Sequence, residues 1–164
     1  MNASARRTGL VGLTGSITAA PDRLPIWLPE LFFRTGMAIV FWRSGQAKLA
    51  SWDTTLALFA DEYRVPILPP EVAAYIAVAV EIGAPIALLL GLGARAAAAA
   101  MLGMTITIQL FVYPGSYPDH LLWAGPLLYL IWRGPGLLSL DHLIRRRFPS
   151  FRAASGDDGR GPAS

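Results

Sequence analysis

Apolar positions along the chain fall into four long runs separated by short polar or proline-bearing breaks. The most continuous, Val72 to Gly93, reads VAAYIAVAVEIGAPIALLLGLG and carries one carboxylate, Glu81, near its middle. At about 1.5 Å per residue it spans roughly 33 Å, enough to cross a ~30 Å hydrocarbon core, and it predicts a membrane helix. Ala73, Ala77, Glu81 and Ala84 share a helical face with Pro85 and Leu88, and small residues on that face let a second helix come close. A charge at mid-membrane costs on the order of 2.5 to 3.5 kcal/mol, so Glu81 is expected to be protonated, paired or facing a polar cavity, turned into the protein.

The first run, from Ile26 or Glu30 to Lys48, repeats Arg34, Ala38, Phe41, Gly45 and Lys48 at helical spacing, which places two cations, a ring and small residues on one stripe. Arg34 is expected to pair with Glu81. Two readings stay open: the pair serves chemistry, or it only removes two unpaired charges while Lys48 snorkels to the interface. Next, SWDTTLALFADEYR gathers Trp52, Leu56, Phe59 and Tyr63 on one face and is too polar to span, which predicts a short amphipathic helix at the outer interface, capped by Ser51 or Asp53. It is either a lid over a lateral opening or a packing helix. VPILPP then breaks the chain.

The third run, AAAAAMLGMTITIQLFVY, follows a tight turn bearing Arg95 and offers a small-residue seam of Ala99, Gly103 and Thr107. Thr105 and Gln109, one turn apart, face either a ligand headgroup or another helix. The fourth, Tyr117 to Trp132, has an uninterrupted apolar part of about 18 Å, so either Asp119 and His120 are partly immersed or the bilayer thins. Gly134-Pro135-Gly136 ends it, and Ser139 is placed to cap a last helix, SLDHLIRRRF, with Leu140, Leu143, Ile144 and Phe148 opposite Arg145 to Arg147.

With 54% hydrophobic and 15% charged residues among 164, the chain is too apolar for an ordinary soluble domain of this size. The expected fold is all-α: a four-helix transmembrane bundle over residues 26–148, between disordered cytoplasmic tails at 1–25 and 149–164. Arg6-Arg7 before GLVGLTGSITAA has the outline of a signal peptide, but three glycines break its apolar centre and a retained tail is expected. Four spans put both termini on one side; ten basic residues fall there against three opposite, which places the termini in the cytoplasm. The lipid bilayer is therefore the first partner, with anionic lipid under the basic last helix. The basic residues show no nucleic-acid motif, and no nucleic acid is expected.

Arg34, Gly45 and Lys48 in the first run, Glu81-Ile82-Gly83 followed by LLLGLGAR through Arg95, and GPGLLSLD from Gly134 to Asp141 together resemble the DoxX family of small bacterial membrane proteins, over about Leu31 to Leu143. Ala38 keeps the size, though not the identity, of a position that is often small in that family. The resemblance implies a four-helix membrane bundle and, often, an accessory subunit of a membrane oxidoreductase assembly. Its relatives include the membrane subunit of thiosulfate:quinone oxidoreductase.

The chain has no cysteine, which excludes disulfide exchange, thiolate metal sites, Fe–S clusters and covalent c-type haem by the chain itself. His120 and His142 are too far apart along the chain to share a metal within one subunit, and no metal site is expected. No phosphate-binding or nucleophile motif is present. What remains is an acid and bases in the membrane beside aromatic rings. A quinone needs a flat apolar slot, hydrogen-bond donors for its carbonyls and a proton carrier. Phe41 and Trp42 are candidates for the slot, Arg34 or Lys48 for the donor, Thr105 and Gln109 for further headgroup contacts, and Glu81 for the proton relay. On that reading the chain anchors a quinone for soluble oxidoreductase subunits and is not catalytic alone. The alternatives are a scaffold for soluble partners, or a solute or proton pathway, for which four short spans would call for a homo-oligomer.

Overall fold

The computed structural model describes residue 25 and residues 27–147, and among these every regular element is helical. The tails expected at 1–25 and 149–164 lie outside the described residues, apart from Pro25, as does Phe148. Helix α1 runs Trp27–Ala50, α2 Trp52–Ala57 with a π-helical continuation Leu58–Tyr63, α3 Pro70–Leu90, and α4 Ala94–Thr107 with a π-helical end Ile108–Val112. A 3-10 turn Pro114–Ser116 leads into α5, Tyr117–Arg133, and α6 is Leu140–Arg147.

Helices α1, α3, α4 and α5 pack in the cyclic order α1–α3–α4–α5 and back to α1. Among the described residues two elements are long and apolar enough to cross a membrane: α3 and Ala94–Val112. Helix α1 is long enough but carries Glu30, Arg34, Arg43 and Lys48, and α5 has only 17 residues, about 25 Å.

The face expected of α3 is the one that packs. Ala73, Glu81, Ala84, Pro85 and Leu88 are buried, while Gly83, Ile86 and Leu90 look outward. Close approach to α1 is fixed at Gly45, where a Cβ would come within 2.8 Å of Ile82 Cδ1 and 3.0 Å of Glu81 Cβ. On α4 the packed residues are Ala94, Ala97, Ala98, Met101 and Thr105. The seam expected from Ala99, Gly103 and Thr107 instead leaves Ala99 and Gly103 exposed, with nothing within 4 Å of a Cβ at Gly103. A small-residue spacing marks where a helix can be approached; which face is used depends on the neighbours.

The main core sits toward the end of the bundle where α3 stops and α4 starts: Leu88, Met101, Leu127 and Leu130 are fully buried beside Met37, Ala84 and Ala98. That end is tied by polar bonds. Gly91, at φ +66°, ends α3 in the left-handed conformation, and the amide of Leu92 donates to Ala87 O at 2.9 Å, closing the last turn. Asp141 accepts the amides of Gly93 at 2.9 Å and Ala94 at 3.2 Å, capping α4 where its dipole is positive. Ser139 caps α6 as expected, accepting the His142 amide at 3.1 Å. Ser51 precedes α2 without a capping bond to its backbone.

Candidate functional site

At the opposite end the helices part around a cavity of about 440 Å³. Helix α2 lies across the end of α1, and its continuation packs Phe59 against Ala73 and Ala74, with Trp52, Leu56, Tyr63 and Ala77 around them. Phe59 and Tyr63 form the roof of the cavity, Phe41 and Trp123 part of its walls, and Met104 part of the α4 side. The rings stack edge to face: Phe59 on Tyr63 at 5.0 Å, Tyr63 on Tyr113 at 5.8 Å, and Phe41 on Trp123 at 6.2 Å. The amphipathic face expected of α2 is the face that closes this space.

Lys48, Ser44 and Glu81 line one side of the cavity. Lys48 Nζ donates to Glu81 Oε1 at 2.8 Å and to Ser44 Oγ at 3.0 Å, and the Ser44 hydroxyl donates to the same Oε1 at 2.9 Å. The pair is well covered, with 16% of the Lys48 side chain and 3% of the Glu81 side chain exposed. Oε2 of Glu81 is buried and accepts no hydrogen bond from any described residue. His120, also buried and also on the cavity wall, is held by Gln109, whose Oε1 lies 2.6 Å from His120 Nδ1 and whose amide nitrogen donates to Pro114 O at 2.7 Å. The imidazole stacks on Trp123 with ring centres 5.2 Å apart.

The expected pairing of Arg34 with Glu81 does not form; Lys48 is the partner. In the antiparallel register set at Gly45, Glu81 lies opposite Ser44 and Gly45, and Lys48 is one turn from Ser44. Arg34 is about 21 Å further along α1 from Lys48. Nor does Lys48 snorkel outward, because α2 covers the end of α1 and leaves the ammonium beneath it. Arg34, only 2% exposed, instead joins two segments of backbone at the other end. Its Nε donates to Leu88 O at 2.8 Å, and its terminal nitrogens donate to Pro135 O at 3.0 Å, Leu138 O at 2.6 Å and Leu89 O. It satisfies carbonyls at the C-terminus of α3, where a cation also suits the helix dipole, and those of the α5–α6 loop.

Of the other expected contacts, Phe41 lines the cavity, but Trp42 turns outward with 39% exposure. Adjacent residues on a helix point about 100° apart, so one ring excludes the other from the slot. Thr105 is buried but donates to Met101 O of its own helix at 2.9 Å and does not line the cavity. Gln109 reaches the site only through His120. Ser44, His120 and Trp123 were not legible as site residues. The spacing of Ser44 to Lys48, four residues on one helix, was the available signal for the first.

Roof and wall are joined by the Tyr113 hydroxyl, which donates to Glu62 Oε1 at 2.7 Å. That bond to a carboxylate, with some burial, raises the Tyr113 phenol above the usual tyrosine range.

These features define an all-helical membrane protein with an ion pair enclosed in its bundle. The DoxX family model matches residues 30–114, just over half of the 164 residues, and the chain belongs to that family. Neither the curated proteins nor the solved structures yield a match. The matched stretch runs from the first turn of α1 to the end of α4 and contains Arg34, Gly45, Lys48 and Glu81.

Proposed function

We propose that this DoxX-family chain is a membrane-embedded accessory subunit of a quinone-linked redox assembly, and that the cavity beneath α2 receives the ring of a quinone. The observation that carries this reading is the combination of aromatic walls with one buried ion pair whose carboxylate has a bare oxygen. A volume of about 440 Å³ falls within the usual range for small-molecule sites, roughly 300 to 1,000 Å³. In this scheme the electrons come from soluble oxidoreductase subunits, the chain having no cysteine with which to hold an iron–sulfur cluster. Phe41, Phe59 and Trp123 hold the ring, Lys48 offers a proton to a ring oxygen, and Glu81 holds or passes a proton. Arg34, Trp42 and Thr105 take no part in this scheme.

In the same reading α1, α3, α4 and α5 all cross the inner membrane, with both termini in the cytoplasm. Supporting it, each long helix turns large apolar side chains outward, among them Phe32, Ile86, Leu110 and Leu122. Helix α6 rests on anionic lipid: Leu140, Leu143 and Ile144 are exposed on one side, and Arg146 and Arg147 are exposed too.

Calorimetric titration of the purified protein with a tetramethyl-benzoquinone, in both oxidised and reduced forms, tests the site. Ala77 lines the cavity one turn of α3 from Glu81 without bonding the ion pair, and Ala77→Trp fills it. Binding of at least one form that is lost in Ala77→Trp, with helicity retained, is the expected result. Absence of binding refutes the reading and favours a scaffold that takes no ligand; binding unchanged by the plug refutes this cavity as the quinone site.

A further inference from the structure

The hydrogen-bond inventory around Glu81 is lopsided. Oε1 receives two donors, Ser44 Oγ and Lys48 Nζ, while the adjacent Oε2 receives none from the described residues despite being buried. Lys48 has three N–H groups, and two are used, on Glu81 Oε1 and Ser44 Oγ. The corner therefore presents one bare acceptor and one unused donor side by side. A buried carboxylate oxygen without a donor is costly, and an occupant that supplies the donor recovers that cost.

A ring carbonyl cannot do this. It accepts from Lys48 but has no proton for Oε2, and its lone pairs then lie against those of the carboxylate. A hydroxyl satisfies both groups, donating to Oε2 and accepting from Lys48. We infer that the site recognises the reduced, hydroxyl-bearing form of its ligand, a quinol, in preference to the quinone. This rests on the reading of the cavity as a quinone-type site and specifies which redox state it holds. Glu81 is on this account a binding residue whose acceptor oxygen selects the donor.

The experiment is an anaerobic calorimetric titration of the full-length protein in detergent with four ligands on one ring: tetramethyl-benzoquinone, its hydroquinone, and the hydroquinone's monomethyl and dimethyl ethers. Hydrogen bonds to charged groups translate into at least about a tenfold difference in affinity. The hydroquinone and the monomethyl ether, each with a donor, are expected to bind at least about tenfold more tightly than the quinone and the dimethyl ether. In Glu81→Gln, whose amide supplies both a donor and an acceptor, that preference is expected to shrink to about threefold or less. Equal affinity for all four ligands in the wild-type protein, with binding still abolished by Ala77→Trp, overturns the inference and leaves the cavity reading intact. A preference for the hydroquinone that persists undiminished in Glu81→Gln overturns the role of Glu81. No binding by any of the four removes the cavity reading itself.

Discussion

Lys48 and Glu81 are the pair on which the reading of the site depends, and a double-mutant cycle isolates them from Arg34. At 2.8 Å, with an effective dielectric near 20, the Coulomb attraction is about 6 kcal/mol before the cost of taking both charges out of water. That cost is several kcal/mol per ion, so the net value of the pair is small. Removing one partner, however, strands the other and is worth about 3 to 5 kcal/mol. Lys48→Met and Glu81→Leu are therefore each expected to destabilise by about 3 kcal/mol, while the double variant falls close to wild type. In thermal unfolding in detergent this is roughly a 10 °C loss for each single variant, much of it recovered in the double. The coupling, the two single losses less the loss in the double variant, then approaches about 6 kcal/mol. The parallel cycle of Arg34→Met with Glu81→Leu is expected to be additive within about 0.5 kcal/mol, because Arg34 bonds the other end of the bundle. Additivity for Lys48 with Glu81, or strong coupling for Arg34 with Glu81, refutes the register that joins α1 to α3.

Two further expectations concern the ends. Arg34→Lys keeps the charge but cannot reach four backbone carbonyls on two segments with one ammonium, so it is expected to lower the unfolding temperature by several degrees, and Arg34→Met more, with ligand affinity unchanged at a temperature where the variant is folded. Tyr113 gives a pH signature. Its phenol is held neutral above the ordinary value by Glu62, so the stabilisation is complete below about pH 10 and is lost as pH rises through the higher folded value. Near-ultraviolet titration is expected to show one of the five tyrosines ionising late, and Glu62→Gln to bring it back toward the others.

The helical periodicity of α3 was enough to show that Glu81 points inward, because Ala73, Ala77 and Ala84 leave no other face for a neighbour. It was not enough to name the partner. The stripe of the first run offers both Arg34 and Lys48, but the register is set by one close approach at Gly45 and by α2 covering the end of α1, and neither is visible in a single helix's pattern. The slot was half legible: Phe41 and Trp42 are consecutive, and helical geometry alone allows only one of them to face in. Thr105 illustrates a general ambiguity, since a threonine in an apolar helix satisfies its hydroxyl on the carbonyl four residues back. The residues that carry the family resemblance divide between the two ends: Arg34, Gly91, Arg95, Gly134 and Asp141 lie at the tied end, and Gly45, Lys48 and Glu81 at the ion pair beside the cavity. Their pattern reports both how the bundle is closed and where its buried charges meet.

That closure is uneven, and the unevenness governs how anything enters. At one end Arg34 and Asp141 fasten loops and helix termini through backbone bonds that cannot open singly without stranding a buried partner. At the other, α2 is held over the cavity by the Thr55 hydroxyl on Lys48 O at 2.9 Å, by the packing of Phe59 on Ala73 and Ala74, and at its exposed rim by the Tyr113–Glu62 bond. A guest of the proposed site would therefore enter past α2 rather than through the fastened base of the bundle.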